Sequence, residues 1–96
     1  MKTFKDLEFK VKDGLLQFSL IKKQAHLFFD NGYGISVISG FGTRTDWNNP
    51  YEVAVLKGNK NMHEIYHNAR IGNSVIGYCN EEKVTEIMAQ IQLLTK

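Results

Sequence analysis

Residues 63–67 read His-Glu-Ile-Tyr-His, which is the spacing of a zinc-hydrolase motif. On a helix, two histidines four positions apart lie on one face and can share a zinc ion, while the glutamate activates the bound water. Apolar residues around the motif recur at helical spacing, and Gly72 could end such a helix. The helix would include Met62, Ile65, Tyr66 and Ala69.

A catalytic zinc ion needs a third protein ligand. Glu86 and His26 are the candidates, although Glu86 lies on the polar side of the helix predicted around it. Alternatively the segment is a strand, with its two histidines on one face but too far apart to share a metal. We expect no cofactor and no enzymatic activity. A small zinc hydrolase, with His63 and His67 as ligands and Glu64 as the base, is the alternative.

A polar, glycine-bearing loop at residues 40–51 suggests a binding function. Tryptophan, tyrosine and arginine are over-represented among the residues that dominate protein interfaces, and binding residues concentrate in loops. The candidate partner-binding residues are Phe41, Arg44, Trp47 and Tyr51. In the alternative interpretation Trp47 folds back onto the sheet and fills a small core.

Length, charge and cysteine content limit the possible classes. A chain of 96 residues predicts a single domain over 1–96. The net charge of +2 is too small to indicate direct nucleic-acid binding. No apolar run approaches the ~20 residues of a membrane span, and the lone Cys79 cannot form an internal disulfide, so we expect a cytoplasmic protein. Cys79 itself is expected to be a buried packing residue.

Six lysines lie in the N-terminal quarter: Lys2, Lys5, Lys10, Lys12, Lys22 and Lys23. Lysine is common on exposed edge strands, where it opposes aggregation. The alternative is a nucleic-acid-binding accessory protein, with these lysines acting beside stacking groups. The stacking candidates are Phe28, Tyr33 and Trp47.

Alternating patterns predict strands throughout the first two thirds of the chain. Asn31-Gly32 joins two β-rich runs and predicts a type I′ hairpin, whereas a phosphate-binding loop would lead into a helix. The predicted strands are LEFKV and LLQFSLI, joined by a turn at Asp13-Gly14, then AHLFFD after an interruption at KKQ, then ISVIS and YEVAVLKG. A single helical turn is expected at residues 3–6.

The clearest element is a C-terminal helix over about residues 80–95. Asn80 is a suitable N-cap, and the two glutamates after it suit the first turn of a helix. Val84, Ile87, Met88, Ile91 and Leu94 form one apolar stripe. Because the helix must bury this stripe, we predict an α+β fold: an antiparallel sheet of about five strands with the helix packed on one face.

Three blocks in order resemble a family of short bacteriophage proteins. They are FFDNGYGISVISG, YEVAVLKG, and VIGYC followed by an EEKVTEIMAQIQ helix, and the resemblance covers about residues 25–94. Within the third block, Asn73 precedes Val75-Ile76-Gly77-Tyr78 where the family carries an aspartate. The family lacks the H-E-x-x-H pattern and tends to show a Tyr-Asp pair near Tyr66-His67. This departure weakens the zinc interpretation.

The resemblance implies a phage origin and a fold, and it suggests an activity only by analogy. Small phage proteins without catalytic motifs often bind and block a host protein, and anti-CRISPR and other anti-defence inhibitors form one large group of them. We therefore expect a stoichiometric inhibitor of a host protein or defence complex, with loop 40–51 as its contact. An exposed sheet edge could also pair two copies into a homodimer.

Overall fold

The computed structural model describes residues 1–11, 21–40, 45–46, 48–68, 71 and 75–95. A short 3-10 helix at Phe4–Asp6 begins the fold, and the α-helix α1, Glu81–Gln92, ends it. The strands between them are β1 (Lys10–Val11), β2 (Ile21–Phe28), β3 (Tyr33–Gly40), β4 (Tyr51–Gly58), β5 (His63–Ile65) and β6 (Val75–Cys79). Within these ranges no helix is both long and apolar enough to cross a lipid bilayer.

All pairings in the sheet are antiparallel, and the strand order is β1-β2-β3-β4-β5. Strand β6 pairs with β4 as well. Residues 51–54 of β4 pair with β6 and residues 56–58 pair with β5, so the two short strands lie one after the other along the same edge of β4. The predicted α+β fold is confirmed, with five strand positions across the sheet.

Two strand predictions need correction. KKQ does not interrupt a strand, because β2 continues through it with a bulge: Ile21 pairs with Gly40 and Lys23 with Ser39. A bulge accommodates one extra residue without ending the ladder. In LEFKV, only Lys10–Val11 pairs as a strand, because the chain before it leaves the sheet and Leu7 packs into the core. The predicted turn at Asp13-Gly14 and the strand after it lie outside the described residues.

The hairpin at Asn31-Gly32 is confirmed, but it is not a type I′ turn. The Phe29 amide donates to the Tyr33 carbonyl at 2.7 Å, which closes a three-residue loop. Gly32 has φ 85°, whereas Asn31 is not among the residues with positive φ. Asn31 instead uses its side-chain amide to donate to the Ile91 and Leu94 carbonyls at 2.9 and 3.1 Å. It thereby ties the hairpin to the C-terminal end of α1.

The helix covers one face of the sheet as its pattern predicts. Asn80 caps it by accepting a hydrogen bond from the Lys83 amide at 2.8 Å. The stripe residues Val84, Ile87, Met88 and Ile91 are buried against alternate strand residues. Those strand residues are Ala25, Tyr33, Ile35, Val37, Tyr51, Val53 and Val55. Burial of this apolar surface is the main stabilising term in a domain of this size.

Candidate binding face of the sheet

The face of the sheet turned away from α1 carries a different set of side chains. Because side chains alternate along a strand, the residues between the core positions share this second side. We call it the helix-free face; its members are Gln24, His26, Phe28, Gly34, Ser36, Ile38, Glu52, Ala54, Leu56, His63 and Ile65. Gly34 and Leu56 are buried, and the other residues of this face are partly or well exposed. The face therefore offers aromatic and polar groups to a ligand.

Three rings meet at one end of this face. The His63 ring lies 5.1 Å from that of Phe28 and 5.7 Å from that of His26, centroid to centroid. His63 belongs to β5 and the other two to β2, with β3 and β4 between them in the sheet. Three strand spacings in a flat sheet amount to ~14 Å. Strand β5 must therefore bend over the helix-free face toward β2.

Two glycines make this bend possible. A Cβ atom at Gly34 would lie 2.6 Å from the Phe28 ring, so the ring occupies the space that a side chain would need. Gly58 has φ 129°, and a Cβ atom there would collide with the Met62 carbonyl oxygen. Only glycine adopts such a backbone without strain. The close packing of the β4–β5 turn places His63 above Phe28.

Both histidines make defined hydrogen bonds. Nδ1 of His63 is 3.1 Å from the Asn59 carbonyl oxygen, and because a carbonyl only accepts, Nδ1 carries the proton in this contact. Nε2 of His26 is 2.9 Å from the side-chain nitrogen of Gln24, an amide donor, so Nε2 is the acceptor there. These contacts orient the rings and set the tautomer of each neutral imidazole.

Beside the ring cluster lies an open groove of about 640 Å³, which we call the β2 groove. Its lining comes from the chain just before β1 and β1 itself, from β2, and from the turn between β4 and β5. The lining residues are Glu8, Lys10, Gln24, His26, Leu27, Phe28 and Lys60. The groove thus combines two cations, one anion, an amide and two flat rings.

Of the two interpretations of the H-E-x-x-H segment, the structure shows the strand and not the metal-binding helix. Residues His63–Ile65 are a strand that pairs with β4. Since alternate residues face opposite sides, Glu64 lies on the other side of β5 from His63. Among the described residues, no three or more histidine, cysteine, aspartate or glutamate side chains are grouped to hold a metal ion. The neighbour of the His63 ring is His26, from β2.

Of the four predicted partner-binding residues, Phe41, Arg44 and Trp47 lie outside the described residues. Tyr51 is only 7% exposed and packs against Phe4 and Phe9, with ring centroids at 5.1 and 5.7 Å. Nζ of Lys23 lies 5.1 Å from the centre of the Tyr51 ring and 3.4 Å from its hydroxyl. Tyr51 therefore anchors the end of the loop in the core.

The described part of loop 40–51 contains a tight turn. The Asp46 carboxylate accepts from the Asn48 and Asn49 amides at 2.9 and 2.7 Å. The Asp46 amide donates to the Asn49 carbonyl at 3.1 Å, and the Thr45 hydroxyl donates to the Gly40 carbonyl at 3.3 Å. Such local bonds restrict the loop before any partner binds.

Beside the end of this loop, Tyr78 projects from a bulge in β6. Tyr51 pairs with Cys79 and Val53 with Ile76, so one extra residue of β6 lies opposite Glu52 of the helix-free face. Tyr78 is 59% exposed and has φ 55°, the left-handed region that costs a non-glycine residue about 1–2 kcal/mol. Sequence reasoning missed this residue, and the Gly77-Tyr78 pair inside a strand pattern was the available signal.

The groups with shifted titration lie in the core. Burial raises the pKa of the Cys79 thiol, while the Lys83 ammonium acts in the opposite direction. Burial also raises the pKa of the Tyr33 phenol, and the neighbouring Tyr66 adds to the shift. A protonated, fully buried thiol is a poor nucleophile, which confirms the packing role predicted for Cys79.

Comparison with family models, curated proteins and solved structures gives no match to this chain. Its function is therefore argued from the surfaces described above.

Proposed function

We propose that the protein is a small binding inhibitor that forms a stoichiometric complex with a host protein. Its resemblance to bacteriophage proteins points to an anti-defence role, with a CRISPR or other defence complex in the host cytoplasm as the partner. The contact surface in this proposal is loop 40–51, with Phe41, Arg44 and Trp47, extended by Tyr78 of β6. We call this surface the loop end.

The observation that carries the proposal is the conformation of Tyr78. Its ring is 59% exposed, and its backbone has the left-handed φ of 55°. The left-handed backbone of this bulge is strained for a large aromatic residue, and burial of the ring does not offset that strain. Tyrosine is among the commonest anchors of protein interfaces, because it buries a large area at a small cost in conformational entropy.

The neighbourhood of Tyr78 supports a rigid contact. Tyr51, the last residue of the loop, pairs with Cys79, the residue after Tyr78. Both neighbours are buried, at 7% and 0% exposed, so Tyr51 and the bulge at Tyr78 are fixed to the same core. A surface that is ordered before binding loses less entropy in the complex.

The test is capture of partners by the tagged protein from lysate of a bacterial host with active defence systems. We expect one host protein or complex to co-elute at a fixed molar ratio. The double variant Arg44→Ala/Trp47→Ala and the single variant Tyr78→Ala should each lose this capture while keeping the fold. Loss of a central aromatic anchor lowers affinity by about 30-fold or more.

Leu93→Ala is the matched control. Leu93 is a large apolar residue, 73% exposed, at the far end of α1 from the loop end. Its replacement should leave capture unchanged. Equal capture by wild type, Tyr78→Ala and the double variant would exclude the loop end as the contact. Absence of any stoichiometric partner would exclude the inhibitor function itself.

A further inference from the structure

We propose that the β2 groove binds a nucleotide, with the base against Phe28 and His26 and the phosphate between Lys10 and Lys60. The ligand class is a planar heterocycle that carries a phosphate, either as a free mononucleotide or within a single strand. This site lies on the helix-free face and does not depend on the proposed inhibition.

The two lysines of the groove supply the phosphate contacts. Lys10 lies on β1 opposite Gln24, and Lys60 lies in the turn between β4 and β5. The Asn59 side chain holds that turn by accepting from the Asn61 and Met62 amides at 2.9 and 3.0 Å. Both lysines therefore line the same groove from backbone that strand pairing and turn hydrogen bonds hold in place. Lysine binds phosphate as a compact charge with three donors.

Two flat rings for the base, those of Phe28 and His26, line the groove. The Phe28 ring fits over Gly34 on one side and meets the His63 ring at 5.1 Å. The Gln24 amide holds His26 by the hydrogen bond at 2.9 Å. Rings that are fixed before binding stack on a base without losing rotamer freedom, and stacking tolerates any base.

The remaining polar groups suit the other parts of a nucleotide. The Gln24 amide has both a donor and an acceptor for the edge of a base. The Glu8 carboxylate can accept from ribose hydroxyls, a role that acidic residues have in other nucleotide sites. A carboxylate beside two ammonium groups leaves the groove with a single net positive charge.

The size and the charge of the groove indicate one nucleotide rather than a long strand. A volume of about 640 Å³ falls within the range of roughly 300–1,000 Å³ that small-molecule sites occupy. The whole chain carries a net charge of only +2, which is too small for a surface that contacts many phosphates along a strand. A single nucleotide needs only the two lysines.

The test is calorimetric titration of the purified chain with AMP, adenosine and inorganic phosphate at low ionic strength. We expect AMP to bind, and adenosine and phosphate to bind at least about tenfold more weakly, since each lacks one half of the recognised group. The double variant Lys10→Gln/Lys60→Gln should weaken AMP binding by about tenfold or more. Phe28→Leu, which keeps an apolar side chain but removes the flat ring, should also weaken AMP binding.

The matched control is Lys83→Gln, which removes an exposed lysine on α1 that pairs with Glu86 at 3.6 Å. AMP binding should be unchanged in this variant, and thermal unfolding of each variant confirms that it is folded. Absence of AMP binding to the wild type would overturn the proposal. Binding of phosphate as tight as AMP, or AMP binding that survives the double lysine change, would overturn it as well.

A short single-stranded oligonucleotide separates the two sources of the ligand. If the oligonucleotide binds as tightly as AMP, and its affinity falls with salt as expected for a single phosphate contact, the ligand is a free mononucleotide. Tighter binding with a steeper salt dependence identifies a nucleotide within a strand. Both results support the site and the ligand class. If the proposal is right, the double lysine variant loses binding of AMP and of the oligonucleotide together.

Discussion

The two faces of the sheet carry alternate residues of the same strands, and the side chains on the two faces have different roles. Along β3, Tyr33, Ile35 and Val37 point toward α1 and are at most 4% exposed. Gly34, Ser36 and Ile38 point the other way, beneath an aromatic and polar cluster built by β2 and β5. The covered face stabilises the domain, and the helix-free face leaves aromatic and polar side chains available for contacts. Residues of one strand should therefore respond very differently to substitution.

The largest expected difference is between neighbours on β3. Ile35→Ala leaves a cavity in a site that is 0% exposed and should lower the free energy of unfolding by about 3 kcal/mol. Ser36→Ala, one residue further along, should change it by less than about 0.5 kcal/mol. Urea titrations of the two variants measure both values. Similar losses in the two variants would contradict the division between faces.

The bend of β5 over the helix-free face should depend on Gly58. Gly58→Ala adds a Cβ atom at φ 129° against the Met62 carbonyl and should cost about 2 kcal/mol. It should also move the His63 ring away from Phe28, which the ring proton shifts of His63 in NMR spectra would report. Lys57→Ala is the control on the adjacent residue, and its His63 signals should match those of the wild type.

The covered face also depends on the bond between the hairpin and the helix. Asn31→Ala removes the donor to the Ile91 and Leu94 carbonyls and should cost about 1–2 kcal/mol. Asn61→Ala, at an exposed position in a different turn, should cost less than about 0.5 kcal/mol. Equal effects in thermal or urea unfolding would show that Asn31 acts only as a turn residue.

A smaller effect should appear at alkaline pH. Burial raises the pKa of Cys79 in the folded state above its unfolded value, which is about 8.5. The stability from keeping the thiol neutral is therefore complete below that pH and is lost as pH rises toward the folded value. The pKa of Tyr33 is also raised, so the loss of folding stability continues to higher pH. In Cys79→Ala, the part of the decline that begins near pH 8.5 should be absent from pH-dependent urea titrations.

Elements set by residues close together in the sequence could be predicted, whereas contacts between residues far apart in the sequence could not. Strand β4 and helix α1 follow local patterns, alternation in one case and an N-cap with an apolar stripe in the other. The bounds of β4 and the N-cap of α1 were predicted correctly, whereas α1 ends at Gln92, about three residues before the predicted end. The β2–β5 ring cluster joins residues 26, 28 and 63 by way of Gly34 and Gly58, a contact that no local pattern reveals.

At two candidate sites the structure places the residues differently from what residue type alone suggests. Tyr51 has the residue type of an interface anchor, but its position in the ladder turns its ring into the core. The H-E-x-x-H segment has the composition of a metal site, but pairing with β4 makes it a strand. In both cases tertiary pairing decided the outcome and residue type did not. The exposed residue is Tyr78, which directly precedes Cys79, the partner of Tyr51 in the β4–β6 ladder.

The central claim is that Tyr78 is held in a strained backbone for binding. The direct measurement is stability and host-protein capture in Tyr78→Gly and Tyr78→Ala, side by side with the wild type. Glycine relieves the φ of 55°, so Tyr78→Gly should be about 1 kcal/mol more stable than Tyr78→Ala, while both variants lose capture. Capture that persists in both variants would contradict the claim, because the strained ring would then have no part in binding.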